Sequence, residues 1–159
     1  GSTVDMVGEV ERCFDDCLGV VGQMYDDGRL LPGGGASYVA LARSLRRFAE
    51  TIPGREQLAI AAFADALEVI VRVLAENGGL DPIESLISVV AKQTSENSHL
   101  YGINLYNGEV EDMMANGVIE PLGIVKQAII GATEASISIL RIDDVLWAKQ
   151  DIEIPEVPQ

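Results

Sequence analysis

The amino-acid sequence predicts an all-α domain, mainly helical, with one small β-hairpin and a short C-terminal strand. The 159 residues are 48% apolar but only 5% aromatic, so the core must consist of aliphatic side chains and alanine, which suits closely packed helices. Apolar residues also recur at steps of three and four along several long stretches, and glycine or proline separates those stretches. A chain of this length can bury a sizeable core as a single domain.

The charge balance excludes two classes of partner. The chain has 11 basic and 25 acidic residues, for a formal net charge of −14. Nucleic acid and anionic lipid require clustered Lys and Arg, so we expect neither a nucleic acid nor a membrane surface as a partner. We find no signal peptide and no apolar run of the roughly 18 residues that a spanning helix needs, so we expect a cytoplasmic protein.

The first helix is predicted from about Val7 to Asp26, because its apolar residues alternate in steps of four and three. This apolar stripe consists of Val10, Phe14, Cys17, Val21 and Met24. At about 100° per residue, Asp15 points away from the stripe and Asp16 lies on its flank, at the edge of the expected core. A partly desolvated carboxylate there can orient a water beside a transferring phosphoryl group. A half-exposed carboxylate without a chemical role fits the same position.

Cys13 and Cys17 are four residues apart on this helix. The only histidine is His99, so the chain offers no complete set of ligands for a metal ion. We expect two buried thiols in a reducing compartment and no metal site.

A glycine-rich turn follows, in which Pro32 precedes Gly33, Gly34 and Gly35. Glycine has no side chain to hold a neighbour away, so the backbone can contact a flat ligand and can adopt φ > 0. We therefore take Gly33, Gly34 and Gly35 as candidate nucleotide contacts. The alternative is a plain turn that opens a helix.

Two core helices are predicted next, over Ala36–Phe48 and Arg55–Glu76. In the first, the predicted inward residues are Tyr38, Leu41, Leu45 and Phe48, with Arg43, Arg46 and Arg47 on the wetter side. In the second, the predicted buried residues are Leu58, Ala62, Leu67, Ile70, Val73 and Leu74. The arginines indicate a solvated face or a salt bridge between subunits rather than an anion site.

A fourth helix is predicted from Pro82 to about Lys92, because Asp81 suits the N-cap and proline the first helical position. A polar loop over 93–99 and a β-hairpin over 100–112 are expected to follow, with the hairpin turning at Asn107-Gly108.

Glu120-Pro121 opens the last helix, which is predicted to continue to Arg141. The carboxylate of Glu120 caps that helix favourably, which by itself explains the residue. Residues 142–147 are predicted to form the short C-terminal strand. Residues 148–159, which have no core to join, are predicted to be disordered.

Several of these segments, in this order, resemble the C-terminal part of a group II chaperonin subunit of the archaeal thermosome type. The segments include Glu11-Arg12-Cys13-Phe14-Asp15-Asp16-Cys17-Leu18, Pro32-Gly33-Gly34-Gly35-Ala36, Tyr101-Gly102-Ile103-Asn104, Gly108-Glu109-Val110-Glu111-Asp112-Met113 and Gly117-Val118-Ile119-Glu120-Pro121. Several motifs in one order are far more specific than any one of them. The resemblance implies that residues 1–6 end a linker from the intermediate domain. Residues 7–147 would belong to the equatorial ATP-binding domain.

The resemblance also implies roles for individual residues. Asp16 would position the attacking water. The family has Asp-Ala-Leu in this segment and this chain has Asp16-Cys17-Leu18, so cysteine replaces alanine and the aspartate is kept. The segment ending at Asn104 would approach the adenine side of ATP or ADP, and Glu120 would accept hydrogen bonds from the ribose. Lys126, one turn into the last helix, could reach toward the nucleotide, or it is simply a surface lysine.

The family's Gly-Asp-Gly-Thr-Thr phosphate loop, with its Mg²⁺-binding aspartate, is absent from this sequence. The resemblance therefore predicts that the Mg²⁺ ligands lie in another part of the parent subunit, and that this chain alone binds ATP weakly and hydrolyses none. The parent would be an ATP-driven chaperone that assembles with other subunits in a double ring and folds unfolded client proteins. The alternatives are a chaperonin-derived helical scaffold without catalysis and an unrelated acidic helical bundle.

Overall fold

The computed structural model describes residues 4–143 of the chain. In chain order, its elements are α1 (Val4–Asp26), β1 (Leu30–Pro32), α2 (Ala36–Ala49), α3 (Glu56–Asn77), α4 (Pro82–Ser95), β2 (Tyr101–Ile103), β3 (Val110–Asp112), β4 (Ile119–Pro121) and α5 (Leu122–Leu140). The predicted mainly helical class is confirmed, and the described residues form two short antiparallel strand pairs, of which the β2–β3 hairpin was predicted. Most of the predicted strand at 142–147, and the whole tail over 148–159, lie outside the described residues.

The chain divides into two compact units, Gly1–Val125 and Lys126–Gln159. The first unit contains every element from α1 to β4 and the start of α5. Helix α5 has a mean hydropathy of 1.2, and among the described helices it alone is long and apolar enough to cross a membrane. The expectation that the chain has no apolar run long enough to span a membrane was therefore wrong for α5.

The core of the first unit forms where α2, α3 and α4 pack on one another and on β2. Its buried apolar side chains are Val39, Val71, Ala75, Val89 and Ile103. Helix α4 begins as predicted, since Asp81 Oδ1 accepts hydrogen bonds from the backbone N–H groups of Ile83 (2.9 Å) and Glu84 (2.7 Å). These bonds satisfy amides at the helix start that have no partner within the helix.

The buried faces of α2 and α3 differ from the predicted ones. Leu41 and Phe48 of α2 are exposed, as are Leu58, Ile70 and Val73 of α3. Leu67 of α3 is buried as predicted, and the other buried apolar side chains include Val39, Ala42 and Ala49 of α2 and Ala64, Val71 and Ala75 of α3. Most of these buried residues are small, and small side chains let the two helix backbones approach closely.

Arg46 joins these two helices rather than lying on a solvated face. Its guanidinium forms an ion pair with Glu68, in which Nη2 donates to Oε2 at 2.8 Å, and Nη2 also donates to Asp65 Oδ1 at 2.7 Å. The hydrogen bond with Glu68 and the charges of both carboxylates raise the pKa of Arg46. The ion pair compensates the burial of Glu68, whose side chain is only 10% exposed.

Helix α1 exposes the apolar stripe that was predicted to be buried. Phe14 is 67% exposed and Val21 is 61% exposed, and both Cys13 and Cys17 are exposed free thiols. The burial predicted for this stripe and for the thiols is therefore wrong for the part of the chain that the structure describes. An amphipathic pattern identifies the face that needs a partner, but it does not place that partner in the same chain.

Candidate functional site

The glycine-rich turn follows directly on a strand pair that the sequence did not predict. Strand β1 pairs antiparallel with β4, with Leu31 opposite Glu120 and Pro32 opposite Ile119. The N–H of Gly33 extends this pairing by donating to the carbonyl of Val118 at 2.9 Å. Pairing of these strands thus brings the start of the turn beside the segment that carries Glu120.

Gly34 and Gly35 are required by packing inside the chain. Both have positive φ, 58° for Gly34 and 75° for Gly35. A Cβ on Gly34 would lie 2.6 Å from Met113 Sδ, and a Cβ on Gly35 would lie 2.3 Å from Val71 Cγ2. The carbonyl of Gly34 also accepts a hydrogen bond from the N–H of Ile103 at 3.0 Å. These contacts explain two of the three glycines without a ligand.

Gly33 is the glycine of the turn that lies beside a candidate binding group. A Cβ at this position would lie 3.3 Å from Glu120 Oε1 and 3.0 Å from Val118 Cγ1. The absence of a side chain on Gly33 therefore leaves room next to the Glu120 carboxylate. The structure brings together Gly33 and Glu120 from the predicted set.

Glu120 is a half-buried carboxylate to which no group among residues 4–143 donates a hydrogen bond. Burial raises the pKa of Glu120 because it disfavours the charged form. The pKa of the partly buried Tyr38 phenol is also raised, first by burial and then by the charge of Glu120. A carboxylate held in this way can accept hydrogen bonds from hydroxyl groups of a ligand.

Asn104 lies at the end of β2, and its side chain is engaged within the hairpin. Its Oδ1 accepts a hydrogen bond from the N–H of Tyr106 at 3.0 Å, and its Nδ2 donates to Glu111 Oε2 at 2.8 Å. The predicted hairpin is present, with Tyr101 opposite Asp112 and Ile103 opposite Val110. The side chain of Asn104 is thus committed to the loop.

Asp16 and Lys126 are the remaining predicted site residues. Asp16 lies on α1 and is exposed, and no hydrogen bond or ion pair joins it to another described residue. The partial burial predicted for this carboxylate is therefore not found in the described part of the chain. Lys126 lies on α5, is exposed, and belongs to the second unit.

Two further observations concern metal ligands and a cleft away from the predicted residues. Among the described residues, no group of three or more His, Cys, Asp or Glu side chains could hold a metal ion. A cleft of about 270 Å³ is lined by Leu80, Asp81, Glu84, Ser85, Ser88, Ile103, Gly108 and Val110. This cleft contains neither Gly33 nor Glu120.

Gln93 is a structural residue that the sequence interpretation missed, because it was assigned to a loop. Helix α4 in fact continues to Ser95, and the Gln93 side chain is fully buried. Its Nε2 donates to the carbonyls of Ala36 (2.9 Å) and Tyr101 (2.8 Å), so it ties the start of α2 to β2 behind the glycine turn. The available signal was its spacing, four residues after the buried Val89, which continues the helical period.

Known proteins provide an independent comparison. The model of the TCP-1/cpn60 chaperonin family matches residues 1–150. The thermosome subunit of Methanocaldococcus jannaschii is 53% identical over 150 residues, which are 94% of this chain and 28% of that protein. The thermosome subunit alpha of Halobacterium salinarum is 52% identical over 148 residues, which are 93% of this chain and 26% of that protein.

Two solved structures have the same fold. The open-state monomer of a group II chaperonin from Methanococcoides burtonii is 47% identical with a TM-score of 0.75, over 89% of this chain and 35% of that chain. An open-state group III chaperonin is 36% identical with a TM-score of 0.82, over 92% of this chain and 29% of that chain. This chain therefore spans about a quarter to a third of the length of these relatives. The family model, the sequence identities and the shared fold together show that this chain belongs to the TCP-1/cpn60 chaperonin family.

Proposed function

We propose that this chain forms one side of the ATP site in the equatorial domain of a group II chaperonin, an ATP-dependent protein-folding machine. The observation that carries this proposal is the Glu120 carboxylate, which is half-buried, receives no hydrogen bond from residues 4–143, and lies next to the space left by Gly33. Burying a carboxylate without a donor is unfavourable unless a ligand supplies one. The hydroxyls of a ribose are donors of the required kind.

The residues of this chain fit part of a nucleotide and not the whole of it. Glu120 would hold the ribose, the backbone at Gly33 would lie against the ligand, and the segment from β2 to Asn104 would lie toward the base. The phosphates and Mg²⁺ need further groups, since basic side chains and carboxylate ligands are the usual partners for them. We assign those groups to another part of the complete subunit. Bound ATP supplies the phosphoryl group whose transfer to water drives the folding cycle.

We assign Asp16 the role of positioning the attacking water in that complete site. Its carboxylate would accept a hydrogen bond from the water, and the exposed stripe on α1 would be covered by the rest of the subunit. From its membership of the chaperonin family we also propose that the complete subunit assembles with further chaperonin subunits. We also propose that the complete subunit acts on unfolded client proteins and is located in the cytoplasm.

The test measures Mg²⁺-dependent ATP turnover by the complete subunit, by its Asp16→Asn variant and by the 159-residue chain alone. We expect turnover by the complete subunit, a loss of roughly 100-fold or more in Asp16→Asn with ATP still bound, and no turnover by the chain alone. The matched control is Asp15→Asn, which changes the neighbouring exposed carboxylate of the same helix. A complete subunit that assembles but neither binds nor hydrolyses ATP would instead support the scaffold alternative.

A further inference from the structure

The side chain of Glu111 joins three asparagines around the β2–β3 hairpin. Its Oε2 accepts hydrogen bonds from Asn104 Nδ2, at 2.8 Å, and from Asn116 Nδ2, and its Oε1 accepts from Asn107 Nδ2 at 2.9 Å. These bonds lower the pKa of Glu111, the bond from Asn104 contributing most, so the carboxylate is ionised at neutral pH. We call this group of four side chains the Glu111 clamp.

Two of the three asparagines adjoin the residues that hold the glycine turn. Asn104 directly follows Ile103, whose N–H donates to the carbonyl of Gly34 at 3.0 Å. Asn116 precedes Val118 by two residues, and the carbonyl of Val118 accepts from the N–H of Gly33 at 2.9 Å. A single oxygen, Glu111 Oε2, therefore connects both segments between which the turn lies.

We propose that Glu111 is a positioning residue for the nucleotide site: it fixes β2 relative to the segment leading into β4, and thereby fixes Gly33 relative to Glu120. This inference rests on the proposed function, because it assumes that Gly33 and Glu120 contact a nucleotide. Glu111 does not touch the ligand in this account. It acts by restricting the two segments that border the turn.

The clamp is not needed to form the fold, which makes its effect measurable. Backbone hydrogen bonds hold the loop 112–118 without the clamp, from the N–H of Asn116 to the carbonyl of Asp112 at 3.1 Å and from the N–H of Val118 to the carbonyl of Met113 at 2.8 Å. We therefore expect Glu111→Ala to fold, with the backbone at Gly33 held less rigidly relative to Glu120. The matched control is Glu109→Ala, because Glu109 is an exposed carboxylate on the same hairpin whose side chain bonds to no described residue.

The first measurement is the affinity and turnover of the complete subunit with ATP. We expect Glu111→Ala to raise KM roughly fivefold or more with kcat within about twofold, because binding geometry is lost and Asp16 is untouched. Glu111→Gln keeps one oxygen that can accept two hydrogen bonds, so it should recover part of the loss. Glu109→Ala should match the wild type, and a Glu111→Ala variant that also matches it would overturn the inference while leaving the proposed function intact.

The second measurement is hydrogen exchange of the Gly33 and Ile103 backbone amides, which requires no nucleotide. We expect both amides to exchange roughly tenfold faster in Glu111→Ala, with core amides of α3 unchanged. If Glu111→Ala does not fold, Asn116→Ala removes one bond of the clamp and should produce the same change to a smaller degree. Unchanged exchange in a folded variant would refute the clamp. A wild-type subunit that binds no ATP would refute the proposed function and the effect on KM together.

Discussion

Replacing Gly35 by alanine tests whether packing fixes the glycine turn. Gly35 has φ 75°, and an added Cβ would lie 2.3 Å from Cγ2 of Val71, which is fully buried in the closely packed core. Gly79 has the same φ of 75°, but nothing lies within 4 Å of a Cβ built there. Gly79→Ala is therefore a matched control that introduces the backbone strain without the overlap.

The two substitutions should differ by the energy of that overlap. An L-residue in the left-handed region costs about 1–2 kcal/mol, so Gly79→Ala should lower the free energy of unfolding by about that amount. Overpacking of a core adds roughly 1–3 kcal/mol, so Gly35→Ala should lower it by about 2–5 kcal/mol.

Urea unfolding of the purified chain, followed by circular dichroism, measures both costs under the same conditions. Combining Val71→Ala with Gly35→Ala removes the overlapping methyl groups. The double variant should therefore lose less unfolding free energy than the sum of the two single losses, by about 1 kcal/mol or more. Equal costs for Gly35→Ala and Gly79→Ala, with an additive double variant, would refute the contact between the turn and α3.

Three further predictions follow from the described contacts. Arg46→Met should lower the free energy of unfolding by roughly 2 kcal/mol because it leaves Glu68 buried without its partner, and denaturation should show no such loss for the exposed Arg47→Met. Gln93→Leu should cost about 2–4 kcal/mol, since the carbonyls of Ala36 and Tyr101 lose their donor; a neutral result in the same assay would contradict that role. Burial in the folded chain raises the pKa of Glu120 above its value in the unfolded chain. The ligand-free chain therefore loses stability as the pH rises from the unfolded-state pKa to the folded-state pKa of this carboxyl group. Glu120→Gln should therefore be more stable than the wild type at pH 7 and lose this advantage near pH 3, which paired denaturation curves will check.

The sequence was a good guide where one residue determines its own local geometry. Asp81 and Pro82 predicted the start of α4, and the cap forms with the expected backbone amides. The Asn107-Gly108 turn likewise predicted the β2–β3 hairpin, whose strands pair around it. In each case the preference comes from covalent geometry and short-range hydrogen bonds.

The sequence was a poorer guide where the outcome depends on which surfaces meet. On helix α3, periodicity correctly selected Leu67 as buried, but it also selected Leu58 and Ile70, which are exposed. It missed Ala64 and Val71, which are fully buried. Apolar periodicity does not report how closely two backbones can approach, which decided this packing. The pairing of β1 with β4 was missed for a related reason, because each strand has only three residues and they lie far apart in sequence.

The candidate site was predicted only in part. Two of the candidate residues, Gly33 and Glu120, are neighbours in the structure. Glu111 and Gln93 were not identified as site-supporting residues, because their partners are backbone carbonyls and asparagine side chains that only the folded chain assembles. Asp16 is exposed, so the role that we propose for it requires protein segments beyond residues 4–143.

The central claim is that the carboxylate of Glu120, beside Gly33, accepts hydrogen bonds from the ribose hydroxyls of a bound nucleotide. Calorimetric titration of the complete subunit with ATP, before and after Glu120→Ala, tests it most directly, with Glu109→Ala as the control. Hydrogen bonds to a carboxylate contribute about 1.5–3 kcal/mol, so we predict that Glu120→Ala weakens ATP binding roughly 10- to 100-fold. An affinity equal to that of the wild type would contradict the account.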